Sequence, residues 1–260
     1  MGALGYHTIR TYLRVIRATR DKHEEIMSFI DTRVGATQIF LRDGEYDIGF
    51  ISWHKDISSF EQKVSQLKKQ FTQYIDDIQI SIITSLKEFT RGYLGSDRFS
   101  RETVRSETTN EYDKTDISIL RALNKDARMK AIDIAQHAGV SARVVTYHLR
   151  KLQQNGLLLA TRADINISKI GMQNYYLEFQ LDNLTGLASL RSEIELHPNT
   201  VFTVSGLLCA DFEAEMEFTD KNELLDYLDS LRQQFQWIRE IRYASTISYY
   251  KLSYLPDEIS

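Results

Sequence analysis

The feature that most constrains the fold is an internal repeat. Matching pairs of short motifs are separated by 166, 164, 164 and 163 residues, and these pairs are Leu4-Gly5 with Ile170-Gly171, Tyr46-Asp47 with Ala210-Asp211, Phe71 with Phe235, and Tyr74-Ile75 with Trp237-Ile238. A nearly constant offset along a whole domain indicates that one structural unit has been duplicated. The sequence therefore predicts two copies of one fold, separated by a segment of different character.

Both copies show apolar periodicity in the order β-α-β-β-α-β. The predicted strands cover residues 9–18, 37–42, 46–53 and 78–86 in the first copy and residues 175–181, 200–204, 211–218 and 241–252 in the second. The turn Arg42-Asp43-Gly44-Glu45 joins the two middle strands of the first copy as a hairpin. The order βαββαβ is typical of a ferredoxin-like antiparallel sheet with two helices on one face.

The predicted strand 211–218 has two very different faces. It alternates apolar residues with Glu213, Glu215 and Glu217. Like charges placed opposite each other repel, so we expect this face to meet a less acidic partner than a copy of itself. The first copy is the expected partner, within one chain or between chains, because its strand 46–53 is largely apolar on both faces and should be covered on both sides.

The middle segment, residues 113–168, predicts a helix-turn-helix followed by a wing. A first helix carries apolar residues at Ile117, Leu120 and Leu123, and a second helix over 131–138 is expected to point Ile132, Ile134 and Ala135 inward. Gly139 is the expected left-handed turn residue, and Ser141 is a natural N-cap for a third helix that ends at Gly156. Residues 157–161 and 162–167 then predict a short β-hairpin, the wing.

The third helix is the candidate DNA-reading element. Val144, Val145, Leu149 and Leu152 are expected to pack inward, which leaves polar side chains near its N-terminal half, where a recognition helix contacts base edges. The candidate DNA-contacting residues are Ser141, Ala142, Arg143, Thr146, Tyr147, His148, Arg150, Lys151 and, in the wing, Arg162. Helical pairs with a glycine turn also occur in proteins that never meet DNA, so these helices could instead serve only to bury apolar surface.

The distribution of charge favours a nucleic-acid partner for the middle segment, although the whole chain has a net charge of −4. Residues 1–112 contain 16 basic and 16 acidic residues, residues 113–170 contain 10 and 5, and residues 171–260 contain 6 and 15. A local basic patch matters more for nucleic-acid binding than the overall charge. The positive excess therefore coincides with the predicted helix-turn-helix.

Cysteine count and hydropathy exclude several classes of protein. Cys209 is the single cysteine, which excludes an internal disulfide and a multi-cysteine metal site. No apolar run is long enough to cross a membrane, and the N-terminus lacks the apolar core of a signal peptide. We expect a cytoplasmic protein without a membrane partner. His137 and His148 have no further ligands at a known metal-binding spacing, so neither a metal nor a cofactor is predicted.

Residues 112–171 resemble the DNA-binding half of the Lrp/AsnC family, named after the leucine-responsive regulatory protein. The shared features are an acidic residue near the start of helix one, here Asp116, a Ser-capped recognition helix, a Leu-x-x-x-Gly end, here Leu152 to Gly156, and the following Ile170-Gly171. The βαββαβ copies resemble the regulatory module of this family, called RAM. Its middle hairpin carries Gly-x-Tyr-Asp, here Gly44-Glu45-Tyr46-Asp47.

The resemblance implies a sequence-specific transcriptional regulator. Such a protein would bind a pseudopalindromic site on double-stranded DNA and form a homodimer or higher oligomer through its RAM domains. The resemblance also implies a small effector, typically an amino acid, bound where RAM domains meet. The candidate effector-binding residues are Gly44, Glu45, Tyr46, Asp47 and Asp211. The alternative for Asp47 is a turn residue whose carboxylate satisfies local N–H groups.

The chain departs from the family pattern in three ways. Its order is RAM, helix-turn-helix, RAM, which leaves open whether an upstream helix-turn-helix has been lost or was never present. The second copy keeps only Asp211 of the Gly-x-Tyr-Asp motif, and Tyr147 stands where the family often has a basic residue. We predict an α+β fold in which a winged helix-turn-helix lies between two ferredoxin-like domains. The predicted domain bounds are 1–92, 113–168 and 169–260, with a polar linker over 93–112.

Two other functions stay open at this point. Siroheme decarboxylases are similar to this family in fold and domain order, and they would hold the carboxylates of a tetrapyrrole with basic and histidine side chains. His7, His23, His54 and His197 lie near the loops and early segments of the two copies. No paired acid and base emerges among them, so we predict that the chain is not an enzyme. The second alternative is a RAM sensor or assembly protein whose helix-turn-helix does not bind DNA.

Overall fold

The computed structural model describes residues 4–95, 100–104, 111–161, 163–256 and 259. Within these residues the chain forms nine strands and seven α-helices, and the fold is mixed α+β as the sequence predicts. The order β-α-β-β-α-β occurs twice, in a first unit and a second unit that flank a three-helix segment. None of the helices in the described ranges is both long and apolar enough to cross a membrane.

The first unit begins the chain. It consists of β1 (His7–Val15), α1 (Arg20–Phe29), β2 (Ala36–Asp43), β3 (Ile48–His54), α2 (Ile57–Gln70) and β4 (Ile75–Phe89). Side-chain caps fix where its helices begin, because Thr19 accepts a hydrogen bond from the Lys22 N–H and Asp56 accepts hydrogen bonds from the N–H groups of Ser58 and Ser59. A short strand, β5 (Ser100–Val104), follows and pairs with the end of β4.

The three-helix segment comes next along the chain. It consists of α3 (Lys114–Lys125), α4 (Ala131–Ala138) and α5 (Ala142–Gln154). Its core is built from buried apolar side chains of all three helices, among them Ile119, Ile134, Val145 and Leu152. This segment corresponds to the predicted helix-turn-helix.

The second unit repeats the element order of the first. It consists of β6 (Gln173–Leu181), α6 (Leu187–Leu196), β7 (Thr200–Leu207), β8 (Phe212–Phe218), α7 (Lys221–Gln234) and β9 (Ile238–Leu252). In both units one sheet face shares a core with the two helices, as Ile9 and Leu13 do in the first unit and Leu177 and Phe179 in the second. Because side chains alternate along a strand, the other face of each sheet is left to meet a different partner.

The two units close into one ring of eight strands. β4 pairs antiparallel with β1 through its first half and with β7 through its second half. β9 repeats this arrangement by pairing with β6 and then with β2. Both strands are 15 residues long and can therefore span both units. With the remaining hairpin pairings these contacts complete the ring, so the expected pairing between the two copies is made within one chain.

The acidic face of β8 meets cationic and polar partners inside the ring. The Arg10 Nη2 lies 2.9 Å from the Glu213 Oε1, and the Tyr176 hydroxyl donates to the Glu213 Oε2 at 2.5 Å. Arg91 donates to both carboxylate oxygens of Glu217, at 2.8 and 2.9 Å. The expectation that this face requires a partner other than a copy of itself agrees with these contacts.

Residues that follow β9 connect the ring to the three-helix segment. The Ser253 N–H donates to the Thr37 carbonyl at 2.9 Å. Asn124 of α3 donates to the Ser253 hydroxyl at 3.0 Å and accepts the Tyr254 N–H at 2.9 Å. Leu255 is 7 % exposed and belongs to the core of the three-helix segment. The C-terminal end of α3 is therefore fixed to the seam where β2 and β9 meet.

The structure corrects the predicted wing and linker. Residues 157–161 and 163–166 contain no strand, because the N–H groups of Leu157 and Leu158 both donate to the Leu152 carbonyl and so end α5 rather than pair with a neighbouring strand. The predicted linker contains β5, whose backbone pairs with residues 85–89 of β4. Its polar composition reflects exposure of the strand and does not indicate an absence of structure.

Candidate nucleic-acid interface

The turn before α5 fixes where that helix begins. Gly139 has a φ of 66°, a left-handed conformation in which an L side chain would be strained. Val140 packs against the core of the three-helix segment. Ser141 accepts a hydrogen bond from the Val144 N–H at 3.4 Å and so caps α5. The predicted glycine turn and serine cap are both confirmed.

The inner face of α5 is narrower than the sequence predicts. Val145 and Leu152 are fully buried, and Leu149 packs against the same core. Val144 is 37 % exposed, because it precedes Val145 by one residue and its side chain therefore points about 100° away from that of Val145. Ile132 of α4 was also expected inside and is 60 % exposed, since Ile134 and Ala135 define the inner face of that helix. Both side chains therefore lie at the surface of the three-helix segment.

The outer face of α5 presents side chains of the kinds that read DNA. Arg143, Thr146, Tyr147 and Arg150 are all exposed, and their spacing of three and four residues puts them on one side of the helix. Arginines can donate two hydrogen bonds to guanine or to a phosphate, and an aromatic ring can contact the methyl group of thymine. This face can therefore contribute both affinity and sequence discrimination.

Three further predicted contact residues have different surroundings. Ser141 is exposed at the N-terminus of α5, where the first N–H groups of a helix favour an anion such as phosphate. Ala142 is half-buried and packs against the core. Arg162 lies outside the described residues.

His148 and Lys151 both reach α3, and Lys151 stays partly exposed, with 30 % of its side chain accessible. The His148 Nδ1 donates to the Asp116 Oδ1 at 2.7 Å, and the Lys151 Nζ donates to the Asp116 Oδ2 at 2.9 Å. His148 is 9 % exposed, and Asp116 has no exposed surface. His148, predicted as a DNA-contacting residue, is instead buried, because the carboxylate of Asp116 below the helix attracts its side chain inward. Sequence reasoning identified Asp116 as a family feature but missed this contact.

The hydrogen bonds that Asp116 accepts favour its ionised, carboxylate form. Burial alone would raise the pKa of the Asp116 carboxyl, but donors on His148, Lys151 and the Asp113 backbone lower that pKa below its ordinary value. The hydrogen bond to Asp116 raises the pKa of the Lys151 ammonium. Asp113, Asp116 and His148 place possible metal-ligand atoms within 4.8 Å of one another. The Lys151 ammonium already supplies a cation to this cluster, which therefore acts as a hydrogen-bond network.

Asp47 and Asp211, the candidate effector residues that the two units share, make equivalent backbone contacts. The Asp47 Oδ2 accepts the Val15 N–H at 2.6 Å at the end of β1, and the Asp211 Oδ2 accepts the Leu181 N–H at 2.8 Å at the end of β6. Both carboxylates satisfy the last N–H group of a first strand. This is the local role that the sequence left open for Asp47, and the repeat extends it to Asp211.

The turn before Asp47 is packed against the second unit. A side chain at Gly44 would come within 2.7 Å of the Ala244 Cβ of β9. The Tyr46 hydroxyl donates to the Asp77 carboxylate at 2.9 Å, and the Glu45 carboxylate lies 3.8 Å from Arg242 of β9. The turn therefore lies at the contact between the units. Two surface clefts, of about 470 and 620 Å³, lie elsewhere, around His7 and around Arg17.

Comparison with known proteins first defines the class of the three-helix segment. Residues 112–158 match the family described as winged helix-turn-helix DNA-binding. The chain therefore contains a helix-turn-helix of the DNA-binding class, and α5 stands in the position of its second helix. This match covers α3, α4 and α5 and neither of the βαββαβ units.

Curated relatives then support the resemblance to Lrp/AsnC regulators. A proline dehydrogenase transcriptional activator of Rhizobium radiobacter is 32% identical over 69 residues, which are 26% of this chain and 44% of that protein. A leucine-responsive regulatory protein of Rhizobium meliloti (strain 1021) is 36% identical over 61 residues, 24% of this chain and 39% of that protein. The chain thus spans less than half the length of the curated relatives it matches.

Two solved structures share the fold. The siroheme decarboxylase NirDL aligns with 98% of this chain and 75% of its own, at a TM-score of 0.64 and 11% identity. A transcriptional regulator of Neisseria meningitidis in complex with L-Met aligns with 56% of this chain and 97% of its own, at a TM-score of 0.51 and 15% identity. At these identities the likeness shows the fold alone.

Proposed function

We propose that the chain is a sequence-specific DNA-binding transcriptional regulator of the Lrp/AsnC type, with α5 as its recognition helix in the major groove. The observation that carries this proposal is the outer face of α5, where four polar or aromatic side chains are exposed at helical spacing above a well-packed inner face. The family match of residues 112–158 supports it. As a regulator of chromosomal genes, the protein would act in the cytoplasm.

The proposed contacts divide into base readout and phosphate binding. Arg143 and Tyr147, in the N-terminal half of α5, are proposed to read base edges. Ser141 and the first N–H groups of the helix are proposed to bind one phosphate. Arg150 is proposed to bind another phosphate through its positive charge. Arg162 would add a phosphate contact from the region after α5.

The two βαββαβ units are proposed to act as paired RAM domains. The resemblance implies that RAM domains of separate chains pair with each other. Here the two units of one chain pair, β4 with β7 and β2 with β9. A second copy of the chain would therefore associate through surfaces outside this ring. Such a homodimer would place two recognition helices roughly 34 Å apart and favour a pseudopalindromic site.

An amino-acid effector is proposed to bind where the two units meet. The turn Gly44–Asp47 lies against β9 at this contact, and the regulator from Neisseria meningitidis was solved with L-Met. An effector changes DNA affinity only if it binds one arrangement of the protein more tightly than another. A screen of the twenty amino acids for altered DNA affinity tests this part of the proposal.

The direct test is selection of genomic DNA by the purified chain, followed by binding to the selected sites over a salt series. If a dimer neutralises ~6 phosphates, log K should fall with log salt at a slope of about −5. Arg143→Ala should reduce affinity for the selected site by about 1–3 kcal/mol and relax its sequence preference. Arg20→Ala is the matched control, because Arg20 is an exposed arginine of α1, in the first unit and not in the three-helix segment.

Failure to enrich any sequence would contradict the DNA-binding proposal and favour a RAM sensor or assembly protein. A siroheme decarboxylase activity is the second candidate, favoured only by the fold likeness over 98% of the chain. Addition of siroheme tests it separately, because binding would shift the visible absorption bands of the free tetrapyrrole. Absence of that shift, together with an enriched DNA site, would remove this candidate.

A further inference from the structure

We propose that Asp116 is a positioning residue for DNA recognition, which holds α5 through His148 and Lys151 without touching DNA itself. This inference rests on the proposed function. It also assigns Lys151 to Asp116 and not to a DNA phosphate. The starting observation is a carboxylate without exposed surface whose two oxygens each accept one hydrogen bond from α5.

The two donors add a directional constraint on α5 to the apolar packing of its inner face. His148 and Lys151 are three residues apart and therefore lie on one side of α5, one turn from each other. Hydrogen bonds are directional, whereas burial of apolar surface is not. Two directional contacts along the helix fix its rotation about its own axis as well as its distance from α3.

Asp116 is itself rigidly held. The Asp116 Oδ2 accepts the Asp113 N–H at 3.0 Å, and the Asp113 carboxylate accepts the Asp116 N–H at 2.9 Å, which together form a capping box at the start of α3. The other end of α3 is fixed to the ring by the contacts of Asn124 with Ser253 and Tyr254. Through these contacts of α3, the position of α5 is therefore fixed relative to the paired units.

The rotation of α5 matters for base readout. Arg143 and Tyr147 project from the outer face, and side-chain atoms lie ~6 Å or more from a helix axis. A rotation of about 10° moves such atoms by about 1 Å, which exceeds the tolerance of about 0.5 Å for a well-positioned contact. Loss of the Asp116 contacts should therefore weaken discrimination between base sequences more than it weakens general attraction to DNA.

The state of Lys151 gives a second, independent expectation. A lysine that binds a phosphate contributes about 1 to the steepness of the salt dependence. The Lys151 ammonium is instead paired with a buried carboxylate. Its removal should leave the salt slope unchanged and should lower sequence discrimination, as removal of Asp116 does.

The experiment compares Asp116→Asn, His148→Gln and Lys151→Gln with the wild-type full chain. Affinity is measured for the genomic site selected by the wild type and for the same site with one base pair changed, each over a salt series. Asp133→Asn is the matched control, because it removes one acidic charge from α4 of the same segment. Thermal melting of each variant shows whether it is folded at the temperature of the binding assay.

We expect Asp116→Asn and Lys151→Gln each to reduce discrimination between the two sites roughly 10-fold, the contribution of about one base contact. Lys151→Gln should also leave the salt slope unchanged. Asp133→Asn should leave discrimination unchanged. The inference would be overturned if Asp116→Asn and Lys151→Gln both discriminated between the two sites as well as the wild type does. It would also be overturned if Lys151→Gln kept this discrimination while its salt slope became less steep by about 1. If Asp116→Asn does not fold, His148→Gln and Lys151→Gln decide. If the wild type selects no site, the proposed function fails, and the inference fails with it.

Discussion

The ion pair between Arg10 and Glu213 yields the sharpest stability prediction. Arg10 of β1 is 4 % exposed and Glu213 of β8 has no exposed surface, and their side chains meet at 2.9 Å inside the ring. Removing one member of a buried pair leaves the other charge without compensation and costs about 3–5 kcal/mol. Glu213→Leu and Arg10→Met should each destabilise the chain by this amount.

The double variant should behave very differently. Replacing both charged partners by apolar residues of similar size is often neutral or stabilising. The Tyr176 hydroxyl then loses its carboxylate acceptor, which costs about 1–3 kcal/mol. Burial raises the pKa of Tyr176 well above its ordinary value, so this hydroxyl stays protonated and keeps its need for an acceptor. Arg10→Met/Glu213→Leu should therefore be more stable than either single variant.

The assay is unfolding in urea, with the free energy of unfolding extrapolated to zero denaturant. The four proteins form a double-mutant cycle, which isolates the coupling between the two side chains. We expect a coupling of several kcal/mol. Arg20→Met, which disrupts an exposed ion pair with Glu24, is the control and should leave the midpoint unchanged. Single variants as stable as the wild type, or additive effects in the double variant, would refute pairing of the units through this contact.

Three further predictions follow from other parts of the molecule. Burial, and then the charge of Lys63, lowers the pKa of His54 to about 4, so the unfolded state takes up a proton more readily and stability falls by ~3 kcal/mol as the pH drops from about 6.5 to about 4. Urea unfolding at several pH values checks this, and His54→Phe with the same acid sensitivity as the wild type would contradict it. Leu255→Ala should cost ~2–5 kcal/mol in the three-helix segment, seen as faster hydrogen exchange in α3, and unchanged exchange would sink the idea that the tail anchors it. Asp47→Ala leaves the Val15 N–H without its acceptor and should cost ~1–3 kcal/mol without any ligand, whereas a variant of wild-type stability would show that this hydrogen bond contributes little.

Local structure was predictable where the sequence pattern and the local chemistry agree. The alternation of β8, the glycine turn at Gly139 and the serine cap at Ser141 each rest on a short-range rule, and the structure follows all three. The internal repeat correctly indicated that the two units share one element order. The acidic face of β8 also predicted a partner other than itself, because the repulsion does not depend on where that partner lies.

Features that depend on contacts between distant residues were not predictable. Periodicity cannot tell whether β4 pairs within or between chains, because the choice is made by a partner strand more than a hundred residues away. The inward direction of His148 depends on Asp116, 32 residues earlier. β5 has a polar composition typical of a linker, and it becomes a strand only because the end of β4 offers backbone partners.

The central claim is that α5 reads DNA sequence through its outer face, and one measurement tests it most directly. The affinity of the wild type and of Arg143→Ala is measured for the selected genomic site and for a scrambled site, over a series of salt concentrations. We predict tight, salt-dependent binding of the selected site by the wild type, and a smaller difference between the two sites for Arg143→Ala. Equal, weak binding of both sites by the wild type would contradict the claim and leave the helices of residues 114–154 with a structural role.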